Sequence, residues 1–451
     1  MSDFKVQRQI TEGLELDIFG QQLTKVYTQI ISIFPVEDES QHESIINIIA
    51  SGLAKLSAAF PWIAGQVVCD GASESNTGSH KIIPLEATPQ LTVKDLRDDP
   101  EVPAYADFKR ANFPIRMLGE DLLAPRKTLM GLDPQNDYAI FLVQITWVEK
   151  GMFLTFLGHH QAMDGTGQGQ MIGLLSKACN GKKLTSEELS TGNLLRKTLI
   201  PFIENYVPGP EIEHQIVDHS ASPPSLAPSI WANFTFSAPS LAALKKLADS
   251  DLRPNIPFVS TDDAVSAFIW QSVQRARSPR LNSETCSRFM RAIDVRSFVG
   301  IPKTYPGVLS TMLRSTLPLQ SLLTLPLGVI ASTLRSQMDG SSTSYNVRSY
   351  ATYLNTHQNK SAFSIVAGID TSKDIMLSSW AKMNTYELDF GLGLGKPVAV
   401  RRPGFTPTES LMYLMPRSLD GENTAVICLR DEDMERLKVD EEFGKYARFD
   451  G

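Results

Sequence analysis

The residues of this chain best suited to chemistry lie in "LGHHQAMDGTGQGQ", Leu157 to Gln170, where two of its seven histidines stand side by side and an aspartate follows four residues after the second. Imidazole is the one side chain that exchanges a proton near neutral pH without help, so a held histidine is the natural general base. Other chemistries compete for the same residues. His159, His160 and Asp164 could be metal ligands, but adjacent residues of a strand point to opposite faces and cannot easily share one ion. "GTGQGQ" has neither the Lys-Ser/Thr ending of a phosphate loop nor GxGxxG spacing. No GxSxG follows a strand, which argues against a serine hydrolase. An ordinary polar turn carrying core histidines is the plainest alternative. It leaves an apolar strand ending in two buried imidazoles, which is costly unless their nitrogens are used. Asp164, followed by Gly165, can fold back in a tight turn and either orient a ring, as in a catalytic triad, or anchor the loop.

The elements around the motif follow from pattern. "YAIFLVQITWVEKGMFLTFLGHH" predicts two strands joined by a turn at Glu149-Lys150-Gly151, the second delivering the histidines, and "GQGQMIGLLSKAC" predicts a helix leading away. "QLTKVYTQIISIFPV" predicts a strand, and "SIINIIASGLAKLSAAFPWIAG" a helix ending at Pro61. "SAPSLAALKKLADS" and "VSTDDAVSAFIWQSVQRARS" predict helices, the second capped by Ser260, Thr261 or Asp262. "FMRAIDVRSF", "SAFSIVAGI", "IMLSSWAKM" and "ESLMYLMP" predict strands. Helices and strands alternate but hairpins occur, which predicts a mixed α/β fold in two similar-sized halves. Residues 201–228, rich in Pro and Ser, predict a crossover connection between residues 1–200 and 229–451.

The remaining composition narrows the classes. The chain has 451 residues, 42% of them hydrophobic, and a net charge of −7. No Lys/Arg block would follow a nucleic-acid backbone. "MSDFKVQRQITEG" lacks an apolar signal core, and the apolar run "LLTLPLGVIA" is too short for a bilayer and holds prolines. The four cysteines lie far apart with no CxxC, which fits free thiols of a cytoplasmic protein, with no membrane or nucleic-acid partner.

HHxxxDG, here His159 to Gly165, resembles the signature of the acyl-CoA-dependent acyltransferases with the chloramphenicol acetyltransferase-like fold, and of their BAHD branch in particular. "DFGLG" (Asp389 to Gly393) resembles the second BAHD signature, with Leu392 in place of Trp. "AIDVRS", "YPGVL", "LSSW" (Leu377 to Trp380) and "FPWIAGQV" resemble further stretches of that branch. "VKDLRDDP", "IENYVPGPEIEHQIV", "VSTDDAVSAFIW", "DFGLGLGKP" and "LRDEDMERLK" are similar to the fungal trichothecene 3-O-acetyltransferases, from Val93 to Lys438. Gln161, where that family has Gly, and the run "GTGQG" depart from its pattern.

The resemblance implies two chloramphenicol acetyltransferase-like domains in a monomer, with a channel between them, the first completed by the late segment, about 363–410, so that residues from both halves face one site. It implies transfer of an acetyl group from acetyl-CoA, a co-substrate and not a resident cofactor, to a hydroxyl of a polycyclic, trichothecene-like alcohol. His160 would be the general base, with Ser378 and Trp380 beside the reacting carbon. Asp164 would turn away from the ring to pair with Arg296. Asp389 would hold a loop near the CoA entrance, with Gly391, Gly393 and Gly395 supplying unusual backbone dihedrals. A CoA phosphate would favour the N-terminus of the "STDDAVSAFIW" helix, making Ser260, Thr261 and Arg291 candidates, although Asp262 and Asp263 oppose an anion there and capping is the competing role. Three alternatives stay open: an acyltransferase for another secondary metabolite, an inactive binding protein of the same fold, and a carrier-dependent condensation module.

Overall fold

The run from Tyr138 to His160 forms two antiparallel strands, Phe141–Val148 and Gly151–His159, and every residue of both is buried. That burial explains the nearly unbroken apolar sequence: a central strand covered on both faces has no polar side. Lys150 makes the turn between them at φ 60°. The computed structural model that shows this describes residues 13–22, 25–86, 90–133, 137–220 and 227–451. Most of the N-terminal "MSDFKVQRQITEG" stretch, and residues 221–226 of the expected crossover, lie outside the described residues.

The two strands sit inside a five-stranded sheet. Its order is Ala399–Arg401, Tyr27–Pro35, Gly151–His159, Phe141–Val148 and Leu91–Asp95. The helices His42–Ala59 and Gly165–Cys179 pack together over it. Their approach is close: a Cβ on Gly52 would stand 2.3 Å from the Cys179 sulfur. A small three-stranded sheet of Leu14–Glu15, Ser79–Pro84 and Gly65–Asp70 adjoins the large one through a bridge between Gln66 and Ala139.

A seven-stranded sheet is built almost wholly from the second half of the chain. Its order is Ser310–Pro318, Cys286–Asp294, Ile375–Ser379, Leu411–Leu414, Asn423–Arg430, Ser229–Phe236 and Ala447–Phe449. Ile375–Ser379 is parallel to both of its neighbours and the other pairs are antiparallel, so the fold is mixed α/β. Helices Ala238–Asp249, Thr261–Arg277 and Leu327–Ser336 share one apolar core with this sheet.

Two expectations are corrected. "SAFSIVAGI" is no strand. Lys360–Ala362 is a short 3-10 turn, Phe363 makes only an isolated bridge to Ile216 of the crossover, and Gly368 turns the chain at φ 66°. Its backbone bonds go to the crossover loop, where Ser364 N–H donates to the Gln215 carbonyl at 2.8 Å, so no sheet edge is open to it. The segment that completes the first sheet is also much shorter than 363–410. Only Ala399–Arg401 joins it, along Ile31 to Ile33, whereas "LSSW" belongs to the seven-stranded sheet. Among its described residues the crossover contains one helical turn, Pro210–Glu213.

Candidate active site

The motif strand ends at His159, and the chain turns at once. His160 N–H donates to the Val26 carbonyl at 3.0 Å, and the N–H groups of Ala162 and Met163 both reach the His159 carbonyl. The two imidazoles are thereby sent apart. His159 is 1% exposed, edge-on to Tyr27 and Tyr138, and its Nδ1 accepts from the Gln161 N–H at 3.2 Å. Burial, and next the neighbouring His160, push its pKa down to about 3, so it is a neutral packing group. His160 is only partly covered. Its Nδ1 is buried without a hydrogen-bond partner, while Nε2 is not closed off in that way. Burial lowers its pKa, opposed by its own backbone and by the Asp164 carboxylate, and assisted by the Arg402 guanidinium.

Asp164 does not hold the ring. Its carboxylate takes both terminal nitrogens of Arg296 at 2.9 Å each, the Leu309 N–H on Oδ2 at 2.8 Å, and the Gly167 N–H on Oδ1 at 2.8 Å. Four donors fill the four acceptor positions of a carboxylate. The Gly167 bond is also the N-cap of the helix Gly165–Cys179. Arg296 is fully buried and additionally binds Asp294 and the carbonyls of Tyr305 and Gly307. Motif helix and second-half loop therefore meet face to face, and the contact leaves no room: a Cβ on Gly167 would lie 2.0 Å from the Pro306 carbonyl oxygen. A second buried carboxylate, Asp17, braces the same loop through the Val308 N–H at 2.9 Å and the Tyr305 hydroxyl at 3.3 Å. Nothing in the sequence pattern near Asp17 signalled that role.

Ser378 and Trp380 come to this place from the seven-stranded sheet. Ser378 lies between Ala292 and Tyr413 on the neighbouring strands. The Trp380 indole N–H donates to the Ser378 oxygen at 3.1 Å. Trp380 also reaches the motif: a Cβ on Gly165 would be 3.3 Å from its indole nitrogen. The indole N–H is thus committed to the serine, and the serine O–H is the donor left over. Ser379, on the opposite face, donates to Asp262 at 2.5 Å.

The other expected residues lie elsewhere. Ser260 is the N-cap of Thr261–Arg277 in a full capping box with Asp263. Arg291 is buried and paired with Asp263 at 2.5 Å. Both are occupied within the protein, as the capping role anticipates, and Thr261 follows as the first residue of that helix. Asp389 accepts the Gly391 N–H at 2.8 Å, and its carbonyl takes Ser176 and Asn180 at the far end of the motif helix. Eleven residues of helix separate Ser176 from Gly165, roughly 16 Å. Gly391, Gly393 and Gly395 have φ of 70°, 77° and 69°. Gln161 is buried and donates to the Gly20 carbonyl at 3.0 Å, bracing the turn. Among the described residues no group of three or more His, Cys, Asp or Glu could hold a metal ion.

A second residue without a signal in the sequence is Arg402. It is 3% exposed, with its guanidinium carbon 4.4 Å from the Phe405 ring centre, 4.6 Å from Tyr413 and 5.8 Å from Trp380. A buried arginine among rings becomes visible only after the sheets bring Trp380 and Tyr413 to it.

Known proteins resemble this chain in sequence and fold. Residues 26–179 match the family described as trichothecene 3-O-acetyltransferase-like N-terminal domain. The chain is 48% identical over 446 residues to the trichothecene 3-O-acetyltransferase TRI101 of Fusarium sporotrichioides, covering 97% of both. It is 46% identical to the O-acetyltransferase dmxR13 of Cryptosporiopsis sp., again over 97% of each. The crystal structure of F. graminearum TRI101 with coenzyme A and deoxynivalenol superposes with a TM-score of 0.95 at 44% identity, covering 97% of this chain and 100% of that one.

Proposed function

The chain belongs to the trichothecene 3-O-acetyltransferase family, and from that premise we propose that it transfers the acetyl group of acetyl-CoA to the C-3 hydroxyl of a trichothecene, with His160 as general base. The observation that carries the role of His160 is the division of labour in the motif. Asp164 has all its acceptor positions filled by Arg296 and two backbone N–H groups, while Nδ1 of His160 is left without a hydrogen-bond partner among the described residues and its ring feels the Arg402 guanidinium at the cluster of Trp380.

An alcohol attacks a thioester only as its proton leaves. In this mechanism Nε2 of His160 takes that proton while the oxygen bonds to the carbonyl carbon. The carbonyl oxygen becomes an oxyanion, and the Ser378 O–H donates to it. Trp380 supports that donor by filling one lone pair of the same oxygen. Loss of one such donor typically costs about 2.7–4 kcal/mol of barrier. The tetrahedral species collapses, the C–S bond breaks, and the imidazolium returns its proton to the CoA sulfur. Acetyl ester and free CoA leave.

The same reading keeps two halves, about 1–200 and 229–451, as domains that share the site, and keeps the protein a cytoplasmic monomer. Its four cysteines are all unpaired, and among the described residues no helix is long and apolar enough to cross a membrane. A different polycyclic alcohol is the second reading, favoured by the 46% identity to a relative named only as an O-acetyltransferase.

The test is direct. Acetyl-CoA and a panel of trichothecenes are mixed with the protein, free thiol is followed, and the ester is located by mass spectrometry and NMR. We expect release with 3-hydroxy trichothecenes and loss of about 10²–10⁴-fold in His160→Ala with CoA binding retained. Full activity in His160→Ala would remove the base from this mechanism.

A further inference from the structure

Arg401 and Arg402 are neighbours in sequence and opposites in structure. Arg401 ends the strand Ala399–Arg401, and its guanidinium donates to the carbonyls of Phe113, Val400 and Asn112 and to the Tyr386 hydroxyl. Arg402 faces the other way and, among the described residues, makes no hydrogen bond and no ion pair. Its Nε is buried without a partner. The carboxylate that acts on it electrostatically, Glu120, is instead taken by the Thr128 N–H at 2.7 Å.

A buried guanidinium without acceptors is costly, and ring stacking returns only part of its lost hydration. Such a group makes sense when something else supplies the oxygen. Three rings hold it in place, those of Trp380, Tyr413 and Phe405, so its direction is fixed before a ligand arrives. Trp231 packs behind Phe405 and Tyr413, which stiffens the box. The Tyr413 ring in turn lies 5.1 Å from Trp380, the indole that touches both Ser378 and the motif glycine. Arg402 therefore stands at the reacting end of the site and not on its surface.

We propose that Arg402 positions the acceptor: its terminal N–H groups bind a second oxygen of the alcohol, an ether, carbonyl or ester oxygen beside the hydroxyl to be acetylated. The aromatic box receives the apolar ring face of the same molecule. The site so formed selects oxygen-rich polycyclic alcohols over simple ones. A fork of donors matches such an oxygen in direction as well as charge, which lysine does not. This inference rests on the acetyltransferase reading above.

The experiment uses the full-length enzyme, acetyl-CoA, and two acceptors, a 3-hydroxy trichothecene and cyclohexanol. Arg402→Met keeps much of the side-chain bulk and removes the donors. We expect its KM for the trichothecene to rise about 10- to 100-fold, the range for a lost charged hydrogen bond, with kcat nearly unchanged. Its kcat/KM for cyclohexanol should fall clearly less than its kcat/KM for the trichothecene. Arg402→Lys, which keeps the charge, should fold even if the methionine variant does not, and should show a smaller rise. An unchanged KM in both variants overturns the proposal. So does an equal loss with both acceptors, or a loss confined to kcat, since either would put Arg402 on the thioester and not on the acceptor. No turnover by the unmodified enzyme with any oxygenated acceptor removes the underlying reading, and this inference with it. Turnover with unaltered selectivity in the variants removes this inference alone.

Discussion

Two adjacent imidazoles end in different surroundings because one backbone turn separates them. His159 lies in a dry pocket with its Nδ1 already bonded, and it stays neutral down to a pKa of about 3. That makes it a stability group. In the unfolded chain its pKa is about 6.5. Above that value neither state binds the proton, and the contribution to stability is fully present. Below it the unfolded chain takes up a proton that the folded one refuses, so stability falls by about 1.4 kcal/mol per pH unit as pH drops toward the folded pKa. His159→Asn keeps an acceptor for the Gln161 N–H and cannot be protonated. Its unfolding free energy should lose that extra slope between pH 6.5 and 5, measured by urea melts against the parent at each pH. Parallel slopes would mean that the buried ring takes up a proton in the folded protein after all.

The clamp between the motif helix and the Tyr305–Leu309 loop belongs to the scale of elements. Asp164 caps the helix and fills the Arg296 fork in one carboxylate, so its loss unseats two elements together. Removing one partner of a buried ion pair typically costs about 3–5 kcal/mol. Asp164→Ala and Arg296→Ala should each lower the melting temperature, and the double variant should lose less than the sum, because the second removal relieves an unpaired charge. A stable but inactive Asp164→Asn, beside an unaffected Arg296→Ala, would return Asp164 to the imidazole. This pairing was legible only through the family resemblance that "HHQAMDG" and "AIDVRS" carry, since the residues alone left Asp164 open between the ring and the loop. The strand pair ending in His159 and the capped helix Thr261–Arg277 were legible directly, because their patterns are periodic. The helix Gly340–Thr356 was not, since "GSSTSYNVRSYATYLNT" is crowded with serine, threonine and asparagine, and its stability comes from packing Val347, Tyr350, Ala351 and Leu354 against the Tyr305 region. "SAFSIVAGI" misled for the converse reason: β-branched residues suit a strand, but strand formation needs a partner edge, and the crossover loop took its bonds. Arg402 was invisible because its meaning depends on rings from three separate segments.

For the whole molecule the decisive feature is a three-residue strand. Ala399–Arg401 closes the open side of Tyr27–Pro35, so a sheet made from the first half of the chain is finished by the second. Chain 1–220 expressed alone should leave that hydrogen-bonding edge bare and aggregate, while co-expression with 227–451 should return soluble material that elutes together on gel filtration. A soluble, monomeric 1–220 would show that the edge needs no cover. The same strand sets a clock during synthesis. The last strand of the first half ends at His159 and its cover arrives at Ala399, some 240 residues later. At typical translation rates that is a wait of roughly 10–50 s with a long apolar edge unprotected. Slow decoding anywhere between those points lengthens the exposure, so yield in a foreign host should depend on translation speed and chaperone supply more than on the stability of the finished protein.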